Sequence, residues 1–372
     1  MKIAVNTRLL LKDRLEGIGW FGHETLSRIT RAHPDVEFHF FFDREFDQEF
    51  IYGDNVKGHI LHPQARHPFL YYFWFEWAVK AKLEKIKPDL FLSIDGLLSM
   101  RSSCKQLAVI HDINFEHYPA YLPFMTRMYY RYYFKRFAKK AMRIATVSEY
   151  SKKDIQNIYG ISEETIDVVY NGANETFKPI SIDQKSKVQS QYSEGHDYLI
   201  YVGAIQPRKN ITRLMQAFDQ FKKDSPSDLR LLLTGKKKWW NIEQGRLYES
   251  LEFKEHILFT GRLPQEALVQ VLAGSEGLCY VSTYEGFGIP ILEAMCCDVP
   301  VLTSNTSAMP EIGGDAPVYC DPLSIVSIKE GMKDLLDPSL REKRLAEGAE
   351  QRSRFSWDRT AEKLWESIEK AI

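Results

Sequence analysis

Short apolar runs alternate with longer stretches of helical period along most of this chain. Runs at 3–6, 36–41, 89–93, 107–110, 144–148 and 166–172 predict strands, and the segments between them predict helices, among them 20–29 and a long one at 71–86. Strand and helix in strict alternation is the pattern of a parallel sheet covered by helices on both faces. Between 174 and 197 the apolar pattern collapses into Lys178-Pro179 and then Ser, Gln and Lys, which marks a boundary. A second alternating unit follows, with strands at 198–203, 229–234, 256–260, 278–281 and 299–303. The chain closes on an amphipathic run to Ile372, for which Ser356 is the expected N-cap.

A chain of 372 residues exceeds one ordinary core and implies two domains. Its composition, 44% hydrophobic and 27% charged, is that of a globular protein, and a net charge of -1 argues against a general nucleic-acid binder. Met1 to Val5 lead straight into a strand without the features of a signal peptide, and charge interrupts every apolar stretch well before 18 residues. Cys104, Cys279, Cys296, Cys297 and Cys320 show no zinc or disulfide spacing, so reduced thiols and a cytoplasmic location are expected.

The densest chemistry lies in Tyr284-Glu285-Gly286-Phe287-Gly288-Ile289-Pro290, just after the strand at 278–281. Gly286 and Gly288 are expected to turn the chain, and Pro290 to open a helix as its first residue. Bare N–H groups and the helix dipole then favour an anion such as a phosphate. Glu285 falls on the turn and Glu293, after seven intervening residues, is placed in the first helical turn; the two carboxylates are acceptors for hydroxyl hydrogens. Each acid taken singly also fits a plainer role, as a solvated loop residue or a complement to the dipole. Arg208 and Lys209 stand between the strand at 198–203 and the next helix, where two cations suit a diphosphate or are simply exposed turn residues. His111-Asp112 ends a strand, the edge at which parallel sheets place ligands. Gly17-Ile18-Gly19 is a G-x-G, either a phosphate loop or a tight turn. From 124 to 143 seven cations and no acid are interleaved with tyrosines and phenylalanines, and 71–75 is aromatic throughout. Such stretches either lie on an anionic membrane or turn their aromatics into a core.

E-G-F-G-I-P-x-x-E-A-M resembles the E-x7-E signature of family 4 retaining glycosyltransferases, and the glycine loop, H-D and R-K segments occur in that family's order over nearly the whole chain. The resemblance implies the α/β GT-B fold: an acceptor-side Rossmann-like domain at 1–177, a donor-binding one at 178–354 facing it across a cleft, and a helix at 355–372 crossing back to the first domain. It implies that Gly17 and Gly19 approach the donor diphosphate and that His111 lies near the transferred sugar. It gives the sugar hydroxyls to Glu285 with the turn Gly286, Phe287, Gly288 and Ile289, and the ribose hydroxyls to Glu293. Lys209 and Arg208 fall to the leaving diphosphate, and the turns at Gly235 and Leu263 to the base. His111, Glu285 and Lys209 are the candidate catalytic residues. The family's usual arginine is Ala204 here, which leaves open whether Arg208 supplies that charge. No D-x-D occurs, so no metal and no cofactor is expected beyond the nucleotide-sugar donor. The expected reaction moves a hexosyl unit with retention to a glycan or lipid-linked saccharide in cell-surface polysaccharide synthesis, without nucleic acid and with peripheral contact at the inner membrane face as one reading. P-R-K-N and L-T-G-K-K-K-W resemble users of GDP-mannose. A non-catalytic nucleotide-sugar binder and an epimerase on the same fold are the alternatives.

Overall fold

The computed structural model describes residues 1–12, 14–237 and 240–372. The chain forms two compact units, one made of Met1–Gly172 and Ser356–Ile372, the other of Ala173–Phe355.

The first unit holds a seven-stranded parallel sheet built from β1 (Lys2–Asn6), β2 (Glu37–Phe42), β3 (Val56–Ile60), β4 (Leu90–Ser93), β5 (Gln106–Val109), β6 (Arg143–Thr146) and β7 (Ile166–Val168). Their order is β3-β2-β1-β4-β5-β6-β7, so the chain reverses its direction of travel between β1 and β4. Leu90 to Ser93 and Gln106 to Val109 are all buried, which explains why these strands are apolar runs rather than alternating ones. The helical stretch expected at 71–86 starts at Pro68 and runs to Ile86 with a π segment, Trp74–Val79, in its middle.

The second unit holds a six-stranded parallel sheet of β8 (Tyr198–Val202), β9 (Arg230–Thr234), β10 (Ile257–Gly261), β11 (Gly277–Tyr280), β12 (Val301–Ser304) and β13 (Val318–Cys320). Its order is β10-β9-β8-β11-β12-β13, with β8 and β11 paired side by side at the reversal. Ligands of open parallel sheets settle outside the carboxyl ends of the strands at such a reversal, because the two neighbouring loops diverge there.

Three expectations need correction. The segment at 174–197 is not all linker: Ile182–Tyr192 is a helix, started by a capping box in which Ser181 and Gln184 satisfy each other's backbone N–H. It escapes a search for apolar period because Val188 is its one buried residue. Strands β3 and β13 were not anticipated either; both are edge strands, and β3 buries only Val56. The glycines of the G-x-G do not form a loop ahead of a helix, since the helix Gly17–Ala32 already begins at the first of them. Gly19 is nonetheless constrained, for a Cβ there would meet the Leu9 carbonyl oxygen at 2.9 Å, whereas one at Gly17 would meet nothing within 4 Å.

The C-terminal helix, Trp357–Ala371, is capped by the Ser356 hydroxyl, which accepts from the Arg359 N–H at 3.3 Å. Trp357, Ala361, Leu364, Ile368 and Ala371 recur at spacings of four and three and are buried, one apolar stripe. That stripe lies on the first unit, against the helix Gly17–Ala32 and strand β6. Thr360 Oγ1 donates to the Tyr170 carbonyl at 2.6 Å and Ser367 Oγ to Asp167 at 2.7 Å, and these bonds fix the helix in register. Leu364 is wholly buried, so Leu364→Ala should cost about 2–5 kcal/mol of stability. Chemical denaturation of the full chain measures it, and the loss should appear in the transition of the first unit.

Candidate functional site

Two loops of the second unit meet at the carboxyl ends of β8 and β11. After β8 the chain turns at Gly203, with φ of 144°, and forms a single 3-10 turn, Pro207–Lys209. Asn210 follows in the left-handed region with φ of 62° and then starts the helix Ile211–Asp224. Asparagine tolerates that conformation better than most residues. Its side-chain amide donates to the Val281 carbonyl at 3.0 Å and to that of Pro322 at 2.6 Å, which ties this loop to the end of β11. From the other side, Thr283 donates its backbone N–H to the Arg208 carbonyl at 2.9 Å.

These ties bring Arg208 and Lys209 onto Glu285. An Arg208 Nη1 lies 2.6 Å from Glu285 Oε2, and Lys209 Nζ donates to Glu285 Oε1 at 2.6 Å. Lys209 Nζ also donates to Tyr280 Oη at 2.5 Å and sits 4.7 Å from the centre of that ring, while Arg208 donates to the Tyr284 carbonyl. The Glu285 N–H donates to Ser307 Oγ at 3.0 Å, so backbone and side chain are both fixed. Burial alone would push the Glu285 carboxyl up; Arg208 and Lys209 outweigh it and hold the group at about 2. Two cations and one carboxylate leave this trio with a net positive charge at the reversal of the sheet. Arg208 stands beside Lys209 on the same carboxylate, and Tyr280, Asn210 and Ser307 join a site from which sequence reasoning omitted them. Nothing in a buried strand ending in tyrosine distinguishes a lysine support from an ordinary core residue.

The glycine turn differs in detail from expectation. Gly288, at φ of 105°, is the glycine of this turn in the left-handed region; Gly286 is not. Ile289 already belongs to the helix Ile289–Cys296, so Pro290 is its second residue, and Glu293 falls beyond the first turn instead of within it. Phe287 is buried and packs edge-on against Phe355, with 5.7 Å between ring centres, while Ile289 is half-buried. The Glu293 carboxyl makes no hydrogen bond or ion pair among the described residues, and burial pushes it up to about 8. The two acids of the motif therefore differ in kind: one is held ionised by cations, the other is held towards its neutral form by its surroundings.

Gly235, with φ of 150°, permits a close crossing of loops, for a Cβ there would sit 1.9 Å from the Gly203 carbonyl oxygen. Leu263 is half-buried and packs against the core of this unit. Lys238 and Trp239 of the L-T-G-K-K-K-W segment lie outside the described residues. In the first unit, His111 follows β5, its Nε2–H donating to the Ile94 carbonyl at 2.9 Å and its ring edge-on to Phe21. That bond fixes the tautomer, and burial lowers the basicity of the ring, which leaves Nδ1 as an acceptor. Among the described residues no group of three or more His, Cys, Asp or Glu could hold a metal ion.

Residues 17–177 match the model for Glycosyltransferase Family 4, and 183–352 the model for Glycosyl transferases group 1. Over 96% of this chain and 97% of the other, the sequence is 29% identical to an O-antigen chain mannosyltransferase B of Escherichia coli. It is 28% identical to the O-antigen chain mannosyltransferase RfbU of Salmonella typhimurium over 76% of this chain and 74% of that protein. Among solved structures, Alr3699/HepE of Anabaena in complex with UDP and glucose superimposes with a TM-score of 0.75 over 99% of both chains at 17% identity. WaaG, a glycosyltransferase involved in lipopolysaccharide biosynthesis, gives 0.71 over 94% of both at 17% identity. The fold is the one these structures share, GT-B with its two Rossmann-like domains.

The contrast between the two acids makes opposite demands on pH. An unfolded Glu293 ionises near 4.5 and the folded one near 8, so between these values the folded chain holds the extra proton and stability falls as pH rises. Glu293→Gln should therefore be more stable than the parent at about pH 8, by roughly 1–2 kcal/mol because the group is only partly covered, with the difference gone near about pH 4. Glu285 acts in reverse, its contribution being lost as pH falls from 4.5 towards 2. Denaturation of parent and variant across this pH range measures both.

Proposed function

Since the chain belongs to the glycosyltransferases, with a family 4 domain followed by a group 1 domain, we propose that it transfers a hexosyl unit from a nucleotide-sugar donor to a hydroxyl of a glycan or lipid-linked saccharide, with retention of configuration. The observation that carries this reading is the Arg208–Glu285–Lys209 trio at the adjoining ends of β8 and β11. A departing nucleoside diphosphate gains negative charge as the glycosidic bond lengthens. Arg208 and Lys209, already oriented and shielded from water, stabilise that charge without reorganising. The ionised Glu285 serves as counter-charge to the cations and as acceptor for a sugar hydroxyl. Glu293 takes the ribose hydroxyls, and His111 offers Nδ1 to a hydroxyl of the transferred sugar. The acceptor hydroxyl attacks on the face from which the diphosphate leaves, and a diphosphate oxygen takes its proton.

The two O-antigen mannosyltransferases support GDP-mannose as the first donor to test and a cell-surface polysaccharide as the product. No described helix is long and apolar enough to cross a membrane. A lipid-linked acceptor would place the reaction at the cytoplasmic face of the membrane, with the enzyme peripheral to it.

The assay presents GDP-mannose, UDP-glucose and other nucleotide sugars with a saccharide acceptor and follows nucleoside diphosphate release. Proton NMR of the product reads its anomeric configuration. An inverted product would overturn retention, and a chain that epimerises the donor without an acceptor would overturn transfer. Lys209→Ala should lower kcat by about 100-fold or more, corresponding to roughly 2.7–4 kcal/mol of transition-state stabilisation, with a smaller change in KM. Steady-state kinetics in the best donor checks it, and an unchanged kcat removes the assigned role.

A further inference from the structure

His111 is held by more than its own strand. The carbonyl that fixes its Nε2–H belongs to Ile94, on the loop that follows β4, and this loop lies where the first sheet reverses between β1 and β4. Gly96, at φ of 77°, lets the loop close over the end of β5: a Cβ there would lie 3.3 Å from the Val109 carbonyl oxygen and from Ile110 Cγ1. Phe21 packs edge-on against the imidazole from the helix Gly17–Ala32, with 4.9 Å between ring centres. The position of one histidine ring thus depends on the path of residues 93–97.

Asp95 sets that path. One of its oxygens accepts from Asn6 Nδ2 at 2.9 Å, from Ser93 Oγ at 3.0 Å and from the Leu97 N–H at 3.2 Å, and the other accepts from Arg8 Nε at 2.7 Å. Asn6 ends β1, Ser93 ends β4, and the two are register partners, so the carboxylate fastens both strand ends at the reversal. Arg8 reaches further: its Nη1 donates to the Ala65 carbonyl at 3.4 Å, and the guanidinium lies 4.8 Å from the centre of the Tyr71 ring. The side chains of Arg8 and Asp95 are only 8% and 3% exposed. A buried ion pair of this kind adds little stability, since apolar residues of similar volume often serve as well. Apolar packing is non-directional, however, whereas a carboxylate with four donors around it leaves the loop one geometry.

We propose that the Arg8–Asp95 pair, with Asn6, positions His111: it orients the Ile94 carbonyl, so that the imidazole keeps its proton on Nε2 and presents Nδ1 as an acceptor. The inference rests on the role given to His111 under the proposed function, where Nδ1 accepts from a hydroxyl of the transferred sugar. Arg8 and Asp95 are positioning residues, acting through the loop after β4. Without them the loop relaxes, the Ile94 carbonyl leaves Nε2, and the neutral ring divides between two tautomers, of which one alone accepts through Nδ1.

The test is long-range proton–nitrogen correlation spectroscopy of the full chain carrying isotope-labelled histidine, which tells the two neutral tautomers apart by their nitrogen shifts. Among the 10 histidines, His111 is identified by the signals that His111→Gln removes. At neutral pH the parent should show His111 as the Nε2–H tautomer alone. Arg8→Met/Asp95→Asn removes both charges and leaves none unpaired, and in it the His111 signals should move towards the average of the two tautomers. Arg8→Lys keeps the charge and loses the fork; it should give a smaller movement, and it serves where thermal denaturation finds the double variant unfolded. In steady-state transfer the double variant should lower kcat about tenfold to 100-fold with a smaller change in KM, and should add no further loss to His111→Ala. Folded variants that keep the Nε2–H tautomer would overturn the proposal, as would a kcat loss undiminished in the His111→Ala background. A loosened tautomer with unchanged kcat would instead remove His111 from the transfer reaction and leave its positioning standing. A parent without transfer would overturn the proposed function, and the spectra would still decide the positioning.

Discussion

The second unit is arranged to keep one carboxylate ionised where water is scarce. Removing Glu285 from solvent is costly, and two cations within hydrogen-bonding distance make it tolerable. The requirement propagates outward. Arg208 and Lys209 must be delivered by the loop after β8, so Asn210 takes a left-handed conformation and anchors that loop to the end of β11. Tyr280 must end β11 beneath Lys209, and Ser307 must hold the Glu285 backbone. Interactions of this kind are weak evidence for stability, since an apolar replacement often serves as well. Their retention at the carboxyl ends of two adjacent strands is better understood through the chemistry that charge performs there.

The acids of the motif show how one sequence signature hides two electrostatic environments. Their spacing says nothing of this difference. Glu285 lies on a turn facing a second loop, whereas Glu293 lies along a helix with no cation among the described residues near enough to offset its burial. A carboxyl poised near neutrality gains most from a partner that donates hydrogen bonds, because each donated bond favours the ionised form. Ribose hydroxyls would do so.

Much of this was legible in the chain. Buried parallel strands announce themselves as apolar runs, and the glycine-proline punctuation of 286–290 located the turn to within a residue or two. His111, Lys209 and Glu285 follow the carboxyl ends of β5, β8 and β11, so the apolar runs before them pointed to their places. What stayed hidden had physical causes. Pairing of Lys209 with Glu285 spans 76 positions and exists only once β8 and β11 lie side by side. The helix Ile182–Tyr192 buries only Val188 and is otherwise almost all polar, so no apolar period marked it. Strand β3 lies at a sheet edge and buries only Val56, and β13 is three residues long, so neither leaves an apolar run of ordinary length. Sequence could likewise offer a core or the outside for the residues at 124–143, but not that one face of the helix is buried while another stays exposed.

The path of the backbone has an implication for biogenesis. Chain leaves the first unit at Gly172, builds the whole of the second, and returns at Ser356 with the helix that covers part of the first sheet. During translation the amino-terminal half therefore waits with an open apolar flank, near β6 and the helix Gly17–Ala32, until ribosomes have produced everything in between. At about 5–20 residues per second, that interval runs to roughly ten seconds or more, ample time for a chaperone to find the flank. A premature stop late in the message would thus injure the part of the molecule made first, and spare the part made last but one.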